Sequence, residues 1–468
     1  MTLGLWLRRL PFPLSPTSRP SRAAVPGPRG LHLLAGLRAM RRDRLGFVLR
    51  AAEEYGDIAL FRLPGRPLFL VNHPAGAQHV LRDNARGYVK GAGLIDAGLL
   101  LGKGLLTSEG AQWAAQRRLV HPVMTPGRMR QFAEQTVAAA TRALDRWQEQ
   151  AAGVTTLDIG EAMAGLTLDV LGHTLLRGPL ATQQGLAECF DEVQRWALQR
   201  MAALVRLPLR LPTPANRRTT HALQKLRAFA DALIEFRRHE RLDGSPGGDG
   251  DTLDALLLAS GGAATGVELR AEVLTLLLAG HETTAAALAW VWHLLAHNPA
   301  ARDRLEAELD GVLAGRAPGF DDVPQLAYTK MVVQETLRLY PPVWMLSRRA
   351  LAADEVLGHR VPSGADVLVS PYSLHRHPRY WEEPDEFRPE RFAAGGPPYP
   401  AAYMPFGLGP RACLGSAFGL LEVVLAVATV AQACRFDRPP SAPQTQALAL
   451  LTLKPLHLEM VLSRRCRR

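Results

Sequence analysis

The sequence predicts one large, mainly helical globule with a minor β region. Three observations carry this reading. From Val273 to Leu295 the chain is almost wholly apolar and long enough for several turns of a buried helix. Helical patterning also runs from about Thr156 to Arg237. The strand-like stretches, in contrast, are short: Ile58 to Leu63 and Leu68 to Val71 are joined across Pro64-Gly65 as a hairpin at the start of a small sheet.

Composition sets the bounds. With 47% hydrophobic residues the chain can bury a large core, and no repeat with a period of roughly 20 to 50 residues interrupts it. The net charge of +11 permits nucleic acid, an anionic membrane surface or an acidic protein as partner. The chain has no nucleic-acid motif and no aromatic residues interleaved with basic ones, so no nucleic acid is expected and an acidic protein is favoured. Cys189, Cys413, Cys434 and Cys466 are scattered and form no C-x-x-C pair. Neither a disulfide framework nor a zinc site is expected, and a reducing compartment fits.

The first 42 residues are arginine-rich and contain no Asp or Glu. That composition marks either an organelle transit peptide or a disordered basic tail over residues 1–44; prolines at 11, 13, 16, 20, 26 and 28 oppose the amphipathic helix that import needs and favour the tail. No apolar run there approaches the roughly 20 residues of a membrane span, so a soluble, cytoplasmic protein is expected. Gly91 to Gly110 reads as a mobile apolar loop. Trp113 and Arg117 follow four apart on a helix, where an indole N–H and a guanidinium can donate to one carboxylate. Leu207 to Pro214 breaks the helical region. Asp243 to Asp251 reads as a surface loop, not a boundary, leaving residues 45–468 as one domain.

Thr265-Gly-Val-Glu268 has the spacing of a capping box that starts a helix at about Val267. A membrane span is disfavoured by Glu282 at the centre of the apolar run. A zinc-protease helix is excluded because Ala285 stands where its second histidine belongs. A buried helix facing a flat ligand accounts for the pattern. Ala279-Gly280 permit close approach, and Glu282 and Thr283 set an acid and a hydroxyl beside that gap. His293 and His297 read as helix-end residues before Pro299. Glu335 and Arg338 share a helical face, and Arg391 offers a second arginine.

Near the C-terminus, Phe406-Gly407-Leu408-Gly409-Pro410-Arg411-Ala412-Cys413-Leu414-Gly415 holds one cysteine in a glycine-punctuated loop before a helical pattern. An isolated cysteine is usually one more buried small hydrophobe. Here the glycines let backbone amides approach the sulfur, and those donors, with the helix N-terminus that follows, favour a metal-ligating thiolate.

The spacing Phe-x-x-Gly-x-Arg-x-Cys-x-Gly resembles the haem-binding loop of the cytochrome P-450 family, the haem-thiolate monooxygenases. Ala279-Gly-His-Glu-Thr-Thr284, Glu335-x-x-Arg338, Pro389-Glu-Arg391-Phe392 and Trp113-x-x-x-Arg117 are similar to further motifs of that family, and the resemblance spans about residues 45 to 460. It implies a single-domain cytochrome P-450 fold, mainly α with a minor β region. It implies haem b (iron protoporphyrin IX) ligated by Cys413 in the loop begun by Phe406, its propionates held by Trp113, Arg117, Arg348 and Arg411. Arg348 matches the family's strand arginine better than Arg349 by its distance from the turns at Gly358 and Pro362 to Gly364. The resemblance further implies Thr283 as the oxygen-side hydroxyl with Glu282 as its acidic partner, and Glu335, Arg338 and Arg391 as a structural triad. The implied substrate pocket includes Leu106, Ala279, Val343, Met345 and Leu451, with Leu450 to Pro455 as the hairpin whose tip enters it.

The implied reaction inserts one oxygen atom of O2 into an apolar small molecule. Electrons come from a separate ferredoxin or flavodoxin, because 468 residues leave no room for a fused flavin reductase, and the protein is expected to be a monomer. The chain looks most like the soluble bacterial fatty-acid hydroxylases: Pro64-Gly-Arg66 would supply their carboxylate-binding arginine, although the tyrosine that partners it is replaced by an aliphatic residue near Leu70. Fatty acids, terpenoids and carotenoids are all candidates. Gly419 stands where the family often has alanine, with looser helix packing expected. The alternatives on the same fold are a peroxygenase or isomerase, branches that tend to lose the acid–threonine pair, and a non-enzymatic haem sensor.

Overall fold

A computed structural model describes residues 25–28, 36, 38, 40, 42–63, 66–124, 126–150, 156–176, 185–201, 208–242, 252–259, 266–393 and 399–465. Helices dominate and gather round the long helix Gly266–His297. Its start agrees with the capping-box expectation, although Thr265 itself lies outside the described residues, as do Asp243 to Asp251 and most of residues 1–44. Gly266–His297 and Ser416–Ala433 are both long and apolar enough to cross a membrane. Their apolar windows are 83% and 72% buried inside the globule, so the core accounts for their apolarity. Trp290 of the long helix stacks on Tyr340 with ring centres 3.8 Å apart, and its Nε1 donates to the Leu453 carbonyl at 3.1 Å. One side chain thus fastens the central helix to the C-terminal hairpin formed by Gln446–Ala449 and Leu453–Leu456.

The larger sheet has five strands in the order Ile58–Leu63, Arg66–Val71, Asp366–Val369, Leu346–Ala350, Tyr88–Lys90. The first pair is the expected hairpin, and Arg66–Val71 runs parallel to Asp366–Val369. Successive side chains of a strand face opposite ways. Arg349 therefore pairs with Asp366 at 3.0 Å on one face, and Arg348 turns to the interior on the other.

Two expectations need correction. Residues 1–44 are not wholly a tail: Val25 packs against the sheet's apolar cluster, and the Pro26 carbonyl accepts from Leu60 N at 2.8 Å. Nor is Gly91 to Gly110 a loop throughout, because Ala92–Leu101 is a helix. Its Asp96 is buried and meets Arg200 of helix Leu186–Met201 at 3.2 Å, while Leu100 and Leu101 enter the core. Tertiary packing overrides the weak local propensity of a glycine-rich stretch. His293 and His297 are helix-end residues as expected: His297 Nδ1 bonds the His293 carbonyl at 2.7 Å. Among the described residues no group of three metal-ligating side chains forms.

The element that most directly positions the cysteine loop is a buried ionic network. Arg338 donates to Glu335 at 2.7 and 2.8 Å, with both side chains fully buried, and Arg391 Nε reaches Glu335 at 3.2 Å. Arg338 also donates to the carbonyls of His375 at 2.8 Å, Pro384 at 2.6 Å and Glu386 at 3.0 Å. His375 carries the link onward. Its Nδ1–H donates to the Arg338 carbonyl at 3.1 Å and its Nε2 accepts from Met404 N at 2.9 Å, two residues before the cysteine loop begins. A carbonyl can only accept and an amide N–H only donate, which fixes the neutral tautomer. Burial first, then the nearby arginine charges, depress its pKa to about 3.

Two tests follow from this network. Glu335→Ala should cost about 3–5 kcal/mol in denaturant melts and leave little haem-loaded protein, because it strands two buried guanidinium groups; normal stability and haem content would contradict the assignment. Between its ordinary pKa of 6.5 and about 3, the unfolded state binds a proton that folded His375 refuses. Stability should therefore fall as pH drops through that window, and a His375→Asn variant should show a shallower slope.

Candidate active site

The long helix and the cysteine loop enclose a cavity of about 820 Å³. The loop's shape is set locally. Gly407 and Gly409 both have φ near 72°, and a Cβ on Gly409 would meet the Leu81 carbonyl oxygen at 2.2 Å. Cys413 N donates to the Phe406 carbonyl at 2.8 Å, closing the loop. Cys413 is exposed and lines the cavity.

Burial raises the Cys413 pKa above its ordinary value, outweighing the Gly415 amide and the Arg117 charge that lower it. The expectation that the loop alone favours a thiolate is corrected accordingly. The donors are in place, but a metal cation is what turns the balance.

The opposite wall comes from the long helix, which passes through a π-helical turn at Leu278–Glu282. Ala279, Gly280 and Thr283 line the cavity, and the Thr283 hydroxyl donates to the Ala279 carbonyl at 2.7 Å. Leu106, Val343, Met345, Leu451 and Phe406 line it as well, the hairpin tip Leu450 to Thr452 entering as the resemblance implied.

Glu282 is placed differently. The expected position beside the Ala279–Gly280 gap is corrected: its carboxyl is buried away from the cavity lining, accepting from Gln194 Nε2 at 2.6 and 2.7 Å and from the Thr452 hydroxyl at 2.7 Å. The physical reason is tertiary: the amide of Gln194 and the hydroxyl of Thr452 hold the carboxyl on their side of the helix. Burial raises the Glu282 pKa, and the Gln194 bond opposes that rise. Gln194 Oε1 in turn accepts from the backbone N–H groups of Leu451 and Thr452 at 3.0 and 3.2 Å.

A third wall is cationic. Lys90, Arg117, Arg348 and Arg411 all line the cavity with Trp113. Arg411 and Arg117 lie 5.6 and 5.8 Å from the Trp113 ring centre, and Arg117 Nη1 donates to the carbonyl of Ala412, beside the cysteine, at 3.2 Å. Arg411 donates to Glu109. Lys90 is depressed to about 8 and Arg348 to about 10, burial being the largest cause of each. The four cations outnumber the two carboxylates near them, Glu109 and Glu272, so this wall suits an anionic ligand.

On the helix after the loop, Glu422 is fully buried with Oε1 unpartnered, and burial raises its pKa well above the carboxylate range. The direction of that shift favours its uncharged form beside the cationic wall. Gly419 also lines the cavity. A Cβ there would meet nothing within 4 Å, so it loosens no contact between protein elements and the expected looser packing is corrected.

A thiol on one wall, small residues on the facing wall and surplus cations on a third suit a flat metal macrocycle with acidic side arms. The residues present fit haem. Glu335, Arg338 and Arg391 lie apart from this cavity, in the network described above. Arg66 is also elsewhere: it pairs with Asp366 at 2.8 Å and does not line the cavity, which removes the carboxylate anchor proposed by analogy with fatty-acid hydroxylases. Sequence reasoning missed Lys90, Glu109 and Gln194. Each belongs to an otherwise ordinary strand, loop or helix, and only tertiary structure assembles them.

The Cytochrome P450 family model matches residues 25–460. Cyclooctatin synthase of Streptomyces melanosporofaciens is 37% identical over 456 residues, 95% of this chain and 96% of the relative. Cyclooctat-9-en-7-ol 5-monooxygenase of the same organism is 34% identical over 438 residues, 92% of this chain and 93% of the relative. Pentalenene oxygenase of Streptomyces avermitilis is 31% identical over 437 residues, 91% and 94% of the two chains. The match begins at Val25, where the chain first docks on the sheet, and takes in all the cavity walls: the chain belongs to the cytochrome P450 family, haem-dependent oxidoreductases.

Proposed function

We propose that this protein is a monooxygenase that inserts one oxygen atom of O2 into an unsaturated terpenoid hydrocarbon or alcohol, with electrons from a separate ferredoxin or flavodoxin. One observation carries the reading: Cys413 lines the same cavity as Ala279, Gly280 and Thr283, and that cavity is lined mainly by apolar side chains. Relatives named for pentalenene and cyclooctat-9-en-7-ol support the substrate class. The retained acid and threonine favour this over the peroxygenase, isomerase and sensor readings.

Haem b, bound through the Cys413 thiolate, would supply the oxygen-activating redox chemistry. The chain's own residues do the rest. Trp113, Arg117, Arg348, Arg411 and Lys90, which line the cavity, would hold the two propionates. Apolar side chains such as Leu106, Val343 and Leu451 exclude water and hold the substrate. Thr283 places a hydroxyl at the gap, already ordered by the Ala279 carbonyl, where it holds and passes a proton. Glu282 is the nearest buried acid in sequence and would serve as a proton source by way of Thr452, a cavity-lining residue whose hydroxyl it accepts from.

Two variants test the chemistry. Thr283→Ala should lower product formed per NADPH at least about tenfold, within the usual range for losing a positioned proton-transfer group, with peroxide released instead; unchanged coupling removes Thr283 from the relay. Cys413→His should retain haem yet lose the red-shifted Soret band of the reduced carbonyl complex. Turnover of the unmodified protein only with peroxide would favour the peroxygenase reading.

A further inference from the structure

Arg44 is a cation on the cavity wall with a single partner. It is half-buried in the first turn of helix Arg44–Tyr55, beside the cavity-lining Phe47 and Val48, and its Nη1 donates to the Ala449 carbonyl at 2.7 Å. Among the described residues nothing else accepts from its guanidinium. Asp43, adjacent in sequence, is occupied in capping Gly46 N at 2.8 Å and pairing with Arg50 at 3.2 Å. Residues 1–42 contain no Asp or Glu, so the preceding chain holds no carboxylate for it.

Stability does not explain the placement. A cation in the first turn of a helix opposes the helix dipole, and a guanidinium that gives one N–H to a protein carbonyl keeps others available to a ligand. Arg66, in contrast, is matched by Asp366 at 2.8 Å. The side chains round Arg44 on the sheet side of the cavity are apolar: Phe47, Val48, Trp344 and Met345 belong to or pack on the cluster that includes Phe61 and Leu368. The cysteine loop packs on a different cluster, with the long helix.

We propose that Arg44 forms a polar subsite at the sheet end of the cavity. It takes an acceptor oxygen, carboxylate or hydroxyl, carried at one end of an otherwise apolar substrate, so that the remainder of the molecule extends toward the gap facing Cys413. This rests on the oxygenase reading and narrows its substrate to an oxygen-bearing terpenoid bound end-on. A charged donor meeting an acceptor in a half-buried site should favour the oxygenated ligand by about tenfold or more.

Equilibrium dialysis of the haem-loaded protein with radiolabelled farnesoic acid, farnesol and farnesene tests this without relying on turnover. The acid, the alcohol or both should bind at least about tenfold more tightly than farnesene, and the two oxygenated ligands identify which acceptor is preferred. Arg44→Met should bring the preferred ligand to the level of farnesene and change farnesene by less than about threefold, while Arg44→Lys keeps much of the preference. Equal binding of all three by the unmodified protein, retention of none, or an equal loss for all three in Arg44→Met would overturn the subsite and leave Arg44 as a fastener of the hairpin. The oxygenase reading fails separately, by loss of the thiolate carbonyl spectrum or of product, whatever the dialysis shows.

Discussion

The buried pairing of Glu335 with Arg338 is the constraint on which the cysteine loop depends. Two fully buried charges are costly to desolvate, and the cost is met only because each remaining donor and acceptor finds a partner. The guanidinium of Arg338 converts that requirement into architecture. Its spare N–H groups collect three carbonyls from segments far along the chain, and His375 passes the alignment to Met404. The loop that carries Cys413 therefore hangs from a polar scaffold, while the helix behind it, Ser416–Ala433, is held by apolar packing. Polar bonds fix direction and apolar contact fixes distance.

Electrostatics divides the cavity in the same economical way. One wall concentrates positive charge, the long helix contributes small, hydroxylic and apolar side chains, and burial raises the pKa of Glu422. A negative group has one favourable place to lie. The orientation of a flat acidic ligand is thus decided by charge before any fine contact is made.

Much of this was legible in the sequence wherever chemistry demands residues at fixed local spacing. The glycines round Cys413, the gap at Ala279-Gly280 and the Glu335–Arg338 pair are each set by a single loop or helix, so spacing predicts them. What was not legible depends on which way an element rolls in the core. Glu282 adjoins Thr283 in sequence, yet Gln194 holds its carboxyl away from the cavity lining. Arg66 has the local company of a ligand-binding arginine, but the parallel strand that brings Asp366 beside it comes from some 300 positions later (366 − 66). Ala92–Leu101 reads as a loop by composition and is helical because Leu186–Met201 packs on it.

The Pro26 carbonyl that accepts from Leu60 lies along the outer strand of the five-stranded sheet. An outer strand is a template on which another chain can add. Proline closes that template asymmetrically, since it offers a carbonyl to the strand but has no N–H of its own to continue the ladder. Pro28 repeats the restriction two residues on. A segment of this kind can end a hydrogen-bonded ladder but cannot propagate it.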